Sequence, residues 1–88
     1  MAKRFAAIGH RLKQLRLALG NLSQADVCRA IDVIPSRWNQ YETGDRKITD
    51  DVAARLRQRY GVTRDWIYDG DPSGLPVRFA DKLQDAAE

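Results

Sequence analysis

The chain has 88 residues, of which 43% are hydrophobic and 31% are charged, with a formal net charge of +3 and a single cysteine. This length allows one domain with one core, and the composition excludes a disordered chain, a disulfide framework and a thiolate zinc cluster. No apolar run approaches the roughly 18 residues of a membrane span, and the basic start lacks the apolar core of a secretion signal. We therefore expect a cytoplasmic protein.

The first predicted helix runs from about Arg4 to Leu19. Apolar side chains recur there at steps of three and four, which is the pattern of a helix with one buried face. They are Phe5, Ile8, Leu12, Leu15 and Leu19. Gly20 and Asn21 follow, and both residue types tolerate the left-handed backbone that ends a helix.

Residues 22–44 contain two short predicted helices joined by a tight turn. Ser23 followed by Asp26 is a capping signal for the first of them. Its apolar face consists of Val27, Cys28 and Ile31. Three residues, 32–34, then turn the chain, which is the length of a helix-turn-helix connection. The second helix begins at Pro35, whose fixed φ suits a first helical position, and ends at Gly44.

Two more helices are predicted after this unit. Thr49 caps a helix that ends at Gly61, and Thr63 caps a short helix that ends at Gly70. Acidic residues at positions 50 and 51 lie in the first turn of the longer helix, where they suit the helix dipole.

The end of the chain is predicted to lie outside the main domain. Residues 71–76 contain two prolines and a glycine, a composition typical of a linker. The segment after them can form one or two amphipathic turns. The sequence thus predicts an all-α, compact five-helix bundle with a helix-turn-helix in residues 1–70. A linker and C-terminal tail, 71–88, follow as a short helix or a disordered segment.

An ordered series of short motifs spans most of the chain. After a first helix rich in Leu and Arg come Leu22-Ser23-Gln24, Val27-Cys28, Ile31-Asp32-Val33, Trp38, Tyr41-Glu42, Gly44 and Asp65-Trp66-Ile67. In this order and spacing, over about residues 6–70, they resemble the Cro/repressor type of helix-turn-helix domain, the Xre-like family. The chain departs from that family at Asp32, where glycine is usual, and at Ile34 and Pro35, where polar residues are usual.

The resemblance implies two sets of DNA contacts. By resemblance the base contacts are Pro35, Ser36, Asn39 and Gln40, and Arg37 joins them because it lies on the exposed side of the same helix. The phosphate contacts are Gln24, Thr43, Arg46 and Lys47. Asparagine and glutamine can each pair bidentately with adenine, and each such pair discriminates by about 1–3 kcal/mol. Arginine can reach guanine or a phosphate, whereas the proline ring can only pack on a thymine methyl or start the helix.

The resemblance also implies a structural ion pair between Arg16 on the first helix and Glu42. A carboxylate that is partly buried so near DNA has to be neutralised, or it would repel the phosphates. The alternative is an ordinary solvated glutamate, for which an alanine substitution would change almost nothing.

A polar helix face that simply points at water is the alternative to the DNA contacts. The position of the face favours DNA, because Gln24 lies at one end and Arg46 and Lys47 lie at the other. Residues 1–49 contain nine Lys or Arg and four acidic residues, whereas residues 50–88 contain six and eight. A basic half suits a phosphate-binding surface, although such a surplus is common on small proteins.

Other classes of function have less support in the sequence. An enzyme is not expected, because His10 is the only histidine and no serine lies in a nucleophile motif. No cofactor and no metal site are predicted. The remaining alternative is an antitoxin-like or other protein-interaction module with a protein partner such as a toxin or an antirepressor. Its contact surface would consist of Trp66, Tyr68, Leu75, Val77, Phe79 and Leu83.

One recognition helix covers only a few base pairs, so useful affinity normally requires a dimer on two half-sites about 34 Å apart. We expect a homodimer, through the fifth helix or the tail, that binds double-stranded DNA at an imperfect palindrome. The expected role is transcriptional repression in a bacterium or phage, at the nucleoid.

Overall fold

The computed structural model describes residues 3–87, so Met1, Ala2 and Glu88 lie outside the described part. Within that part the chain forms six helices: α1 (Ala6–Ala18), α2 (Gln24–Ile31), α3 (Pro35–Thr43), α4 (Asp50–Tyr60), α5 (Arg64–Asp69) and α6 (Val77–Ala87). The all-α prediction is confirmed. None of these described helices is long and apolar enough to cross a membrane.

Local signals set the helix starts where the sequence predicts them. The Ser23 hydroxyl accepts from the Asp26 N–H at 3.0 Å, and the Asp26 carboxylate accepts from the Ser23 N–H at 3.0 Å, which completes a capping box. The Thr49 hydroxyl accepts from the Val52 N–H and so caps α4, and the Thr63 hydroxyl accepts from the Trp66 N–H and so caps α5. Pro35 starts α3 without a side-chain cap. Only α1 is shorter than predicted, by about two residues at its start and one at its end.

The turn between α2 and α3 is made without glycine. Asp32 ends α2 in the left-handed conformation, with φ of 58°. Aspartate adopts this conformation more readily than most residues, although at some cost in energy. The Arg55 guanidinium on α4 donates to the Asp32 carbonyl at 2.8 Å and to the Ile31 carbonyl at 3.3 Å. These bonds satisfy carbonyls that the end of a helix leaves free, and they hold the turn against α4.

The backbones of α1 and α3 are in direct contact at Gly9. A Cβ atom at this position would lie 2.3 Å from the Glu42 carbonyl oxygen and 2.7 Å from the Tyr41 carbonyl oxygen. Around this contact all the first five helices contribute to one core. Its fully buried side chains include Leu12, Leu15, Val27, Trp38, Ile48, Leu56, Val62 and Ile67. The contact therefore fixes α3 at a short distance from α1.

The segment after the linker forms a longer helix than predicted. Instead of one or two turns, α6 has 11 residues and packs against α1. Leu75 and Leu83 are buried and belong to the same core cluster as the other helices. The linker allows this because the Pro76 carbonyl accepts from the Phe79 and Ala80 N–H groups, both at 3.0 Å, and so starts the new helix immediately.

Candidate nucleic-acid interface

One face of α3 is buried and the other is exposed. Trp38 is 0% exposed and Tyr41 is 2% exposed, so both side chains point into the core. The five predicted base-contact residues lie on the rest of the helix surface. Of these, Pro35, Ser36, Arg37 and Asn39 are exposed and Gln40 is half-buried. Arg37 directly precedes Trp38 and lies at the flank of this polar face rather than at its centre.

The structure joins one predicted phosphate contact to one predicted base contact. The Gln24 side-chain amide, on the first residue of α2, donates to the Asn39 side-chain carbonyl at 3.3 Å. The two residues are 15 positions apart in the chain. The hydrogen bond therefore couples the start of α2 to the exposed face of α3.

The loop after α3 contains the other predicted phosphate contacts, and it also contains an acid that sequence reasoning missed. The Asp45 carboxylate accepts from the Thr43 hydroxyl at 2.9 Å and pairs with the Lys3 ammonium at 2.9 Å. Hydrogen bonds from Lys3 and then Thr43 hold the pKa of Asp45 below its usual value. The Thr43 hydroxyl is therefore engaged in the free protein, whereas Arg46 and Lys47 are exposed.

Behind the exposed face, the structure brings Arg16 and Glu42 together as an ion pair. The Arg16 guanidinium donates through Nε to Glu42 Oε2 at 2.6 Å and through Nη2 to Glu42 Oε1 at 2.9 Å. A third donor, Nη1, reaches the Leu22 carbonyl at 2.7 Å. The side chains are 14% and 6% exposed, so this pair is not a solvated surface contact.

Trp38 is a third member of this network. Its indole N–H donates to Glu42 Oε2, four residues further along α3. Burial alone would raise the pKa of Glu42, but the hydrogen bonds from Arg16 and Trp38 outweigh it, and the pKa is lowered. The carboxylate is therefore charged at neutral pH and ties α3 to α1. The spacing of Trp38 and Glu42 on one helix is the signal that could have predicted their contact.

Cys28 lies beside this network. The side chain is 4% exposed, and its small size suits the closely packed α2 and α3. Burial, followed by the nearby charge of Glu42, raises the pKa of the thiol. Cys28 is therefore an unreactive part of the core.

The prediction of an apolar contact surface is in large part wrong. Trp66, Leu75 and Leu83 are buried in the core, to which α6 itself contributes Leu83. Tyr68 and Phe79 are half-buried. Of the six residues predicted for that surface, only Val77 is largely exposed, at 78%. This difference leaves less apolar surface for a partner than the sequence indicates.

Two short helices joined by a three-residue turn, the second with a polar exposed face, define a helix-turn-helix domain. Comparison with known families agrees, since a helix-turn-helix domain family matches residues 7–66. The chain belongs to this family, which indicates DNA as its partner and a role in transcription regulation. No curated protein and no solved structure gave a significant match.

Proposed function

We propose that this chain is an Xre-like transcriptional repressor that inserts α3 into the major groove of a palindromic operator as a homodimer. The observation that carries the proposal is the contrast between the two faces of α3. The buried face is held by the network of Arg16, Trp38 and Glu42. The other face carries Asn39, which is exposed, and Gln40, which is half-buried. A helix whose buried face is held in place loses little conformational freedom when its exposed side chains contact base edges.

The proposed base contacts follow from the chemistry of the exposed face. Asn39 and Gln40 have the donor and acceptor pair that matches the major-groove edge of adenine. Arg37, at the flank, can reach guanine or a phosphate. Ser36 can donate or accept. Pro35 offers only an apolar ring, which suits the methyl group of thymine.

The proposed phosphate contacts surround this face. Gln24 lies at the N-terminus of α2, where backbone N–H groups also favour an anion. Thr43, Arg46 and Lys47 lie at the opposite end. Such contacts fix the position of the domain on the duplex without reading its sequence.

A homodimer is part of the proposal, because one helix of nine residues covers only a few base pairs. Two copies on half-sites about 34 Å apart would supply the affinity of an operator binder. Of the residues predicted for a contact through α5 or the tail, Val77 on α6 is largely exposed, at 78%. In this proposal the protein acts on nucleoid DNA in the cytoplasm.

The test is to select bound sites from a random pool of DNA duplexes with the wild type and with a double variant, Asn39→Ala with Gln40→Ala. We expect the wild type to enrich an inverted repeat. The double variant should lose base preference at the adenine positions, by about 1–3 kcal/mol for each contact. It should keep its fold by circular dichroism, because both side chains lie outside the core.

Gln58→Ala is the matched control, since this exposed amide lies on α4 and is not among the proposed contacts. It should enrich the same sites as the wild type. Identical site preference in the double variant would contradict the proposed base contacts. Binding that does not weaken as salt rises would contradict DNA as the ligand and favour a protein-interaction module.

A further inference from the structure

Tyr68, in the last turn of α5, lies against the loop that joins α3 to α4. Its hydroxyl lies 3.0 Å from the Ile48 carbonyl and 2.9 Å from the Asp50 carboxylate. Ile48 is 1% exposed and lies in the loop directly before Thr49, the cap of α4, while Asp50 begins α4. The hydroxyl therefore contacts acceptor groups where the loop joins α4.

The end of α5, which carries Tyr68, is itself held in place by α1. The Arg11 guanidinium on α1 donates to the Ile67 and Tyr68 carbonyls, both at 2.8 Å, and so fixes the end of α5. Burial and the adjacent Asp50 carboxylate raise the pKa of Tyr68 to about 12. The hydroxyl therefore keeps its hydrogen at neutral pH and remains a donor to the loop or to α4.

The aromatic ring of Tyr68 contacts the same loop through Lys47. The Lys47 ammonium lies 5.0 Å from the ring centroid, within the range of a cation–π interaction. A lysine side chain in water samples many rotamers, and it loses this freedom when it binds a phosphate. A side chain that already rests on a fixed ring loses less.

We propose that Tyr68 is a positioning residue that holds the loop and the Lys47 ammonium ready for a DNA phosphate. This inference rests on the proposed function, and it adds to it a residue that does not touch DNA. The alternative is that Tyr68 only fills space between α4 and α5, in which case its loss would change stability but not the affinity of the folded protein for DNA.

The experiment measures the affinity for a random-sequence duplex of about 20 base pairs over a range of salt concentrations, by fluorescence anisotropy. Each phosphate contact contributes about 0.9 to the slope of log K against log salt concentration. We expect Lys47→Ala to lower the slope by about 0.9. Tyr68→Leu keeps the Lys47 charge, so it should keep the slope but weaken binding by about two- to fivefold at each salt concentration, and it should weaken binding no further once Lys47 is alanine. Tyr68→Phe keeps the ring but loses the hydroxyl bonds to the loop, so its affinity should lie between those of the wild type and Tyr68→Leu.

Tyr60→Leu is the matched control. Tyr60 is also half-buried, with the Arg59 guanidinium 5.5 Å from its ring centroid, but it lies at the far end of α4. Its loss should leave the affinity unchanged. A wild-type affinity in Tyr68→Leu, or a double variant whose affinity falls by the product of the two single effects, would overturn the positioning role alone. A wild type that binds no duplex at low salt would overturn the proposed function and this inference together.

Circular dichroism shows whether Tyr68→Leu is folded at the temperature of the assay. If Tyr68→Leu is unfolded, an NMR measurement on the wild-type protein tests the proposal instead. The Lys47 side-chain protons nearest the ammonium should show upfield NMR shifts, because they lie over the Tyr68 ring. Shifts at the values of a free lysine side chain would overturn the proposal.

Discussion

The two faces of α3 differ in how many partners their side chains have. On the inner face, Trp38, Tyr41 and Glu42 are packed or hydrogen-bonded to the rest of the domain. On the outer face, Ser36 and Asn39 are exposed to solvent. The inner face determines where the helix lies, and the outer face, apart from the hydrogen bond between Gln24 and Asn39, is open to a ligand. Substitutions on the inner side should therefore change stability and binding together, whereas those on the outer side should change binding alone.

The largest effect is expected where α1 contacts the inner side. Gly9→Ala would place a Cβ atom against the backbone of α3, which cannot move aside as a flexible side chain can. We expect a loss of about 3 kcal/mol in the free energy of unfolding, from overpacking. Urea denaturation measures this loss. Ala7→Val, which adds bulk to an exposed position on the same helix, should change stability by less than about 0.5 kcal/mol. Equal stability of Gly9→Ala and wild type would refute the close approach of the two helices.

The next largest effect concerns the ion pair. Glu42→Gln leaves Arg16 largely buried without a charged partner, and we expect a loss of about 2 kcal/mol in the free energy of unfolding at pH 7. Asp51→Asn is the control, because its pair with Arg55 is an exposed contact between side chains that are 73% and 41% exposed. That change should cost less than about 0.5 kcal/mol. If the two substitutions cost the same, the inner face contributes no more than an ordinary surface pair.

The same pair predicts a pH dependence. The folded protein holds the pKa of Glu42 below its ordinary value of 4.5. The contribution of the charged group is therefore fully present above that value, and it is lost as the pH falls through the lower pKa of the folded state. The difference in stability between wild type and Glu42→Gln should shrink as acid is added. Asp26, Asp45 and Asp71 also have lowered pKa values, but they are common to both proteins and cancel. A difference that stays constant down to about pH 3 would exclude this origin.

The smallest expected effect is a gain in the free energy of unfolding rather than a loss. Asp32→Gly would relieve the left-handed backbone at the turn while keeping the bonds that Arg55 makes to carbonyl groups. Because glycine also has more freedom when unfolded, we expect a net gain of only about 0.5 kcal/mol. Thermal unfolding measures the gain. Ala30→Gly, within α2 and exposed, should instead lower stability by about 1 kcal/mol. A loss of stability in Asp32→Gly would mean that the aspartate side chain itself supports the turn.

The features predicted from the sequence are the ones that local chemistry determines. Ser23, Thr49 and Thr63 cap the helices that follow them, and Pro35 begins α3. The pairing of Arg16 with Glu42 came from resemblance alone, since 26 residues separate them and no local pattern relates them.

The features that were missed depend on contacts between distant parts of the chain. The length of α6 depends on its packing against α1, which the amphipathic pattern of the tail does not reveal. A glycine within a helical pattern, as at Gly9, indicates a close neighbour but not its identity. The contacts of Lys3 with Asp45 and of Lys47 with Tyr68 likewise join residues with no relation in sequence.

The burial of Trp38 gives the protein an internal optical probe. The chain has two tryptophans, and Trp38 is bonded to a carboxylate on the hidden side of the helix proposed to enter DNA. With Trp66 replaced by phenylalanine, the fluorescence of the remaining indole reports the environment of that side alone. A shift in its emission therefore identifies a variant in which the packing of α3 is disturbed. An unchanged emission identifies a variant that has lost only its contacts with DNA.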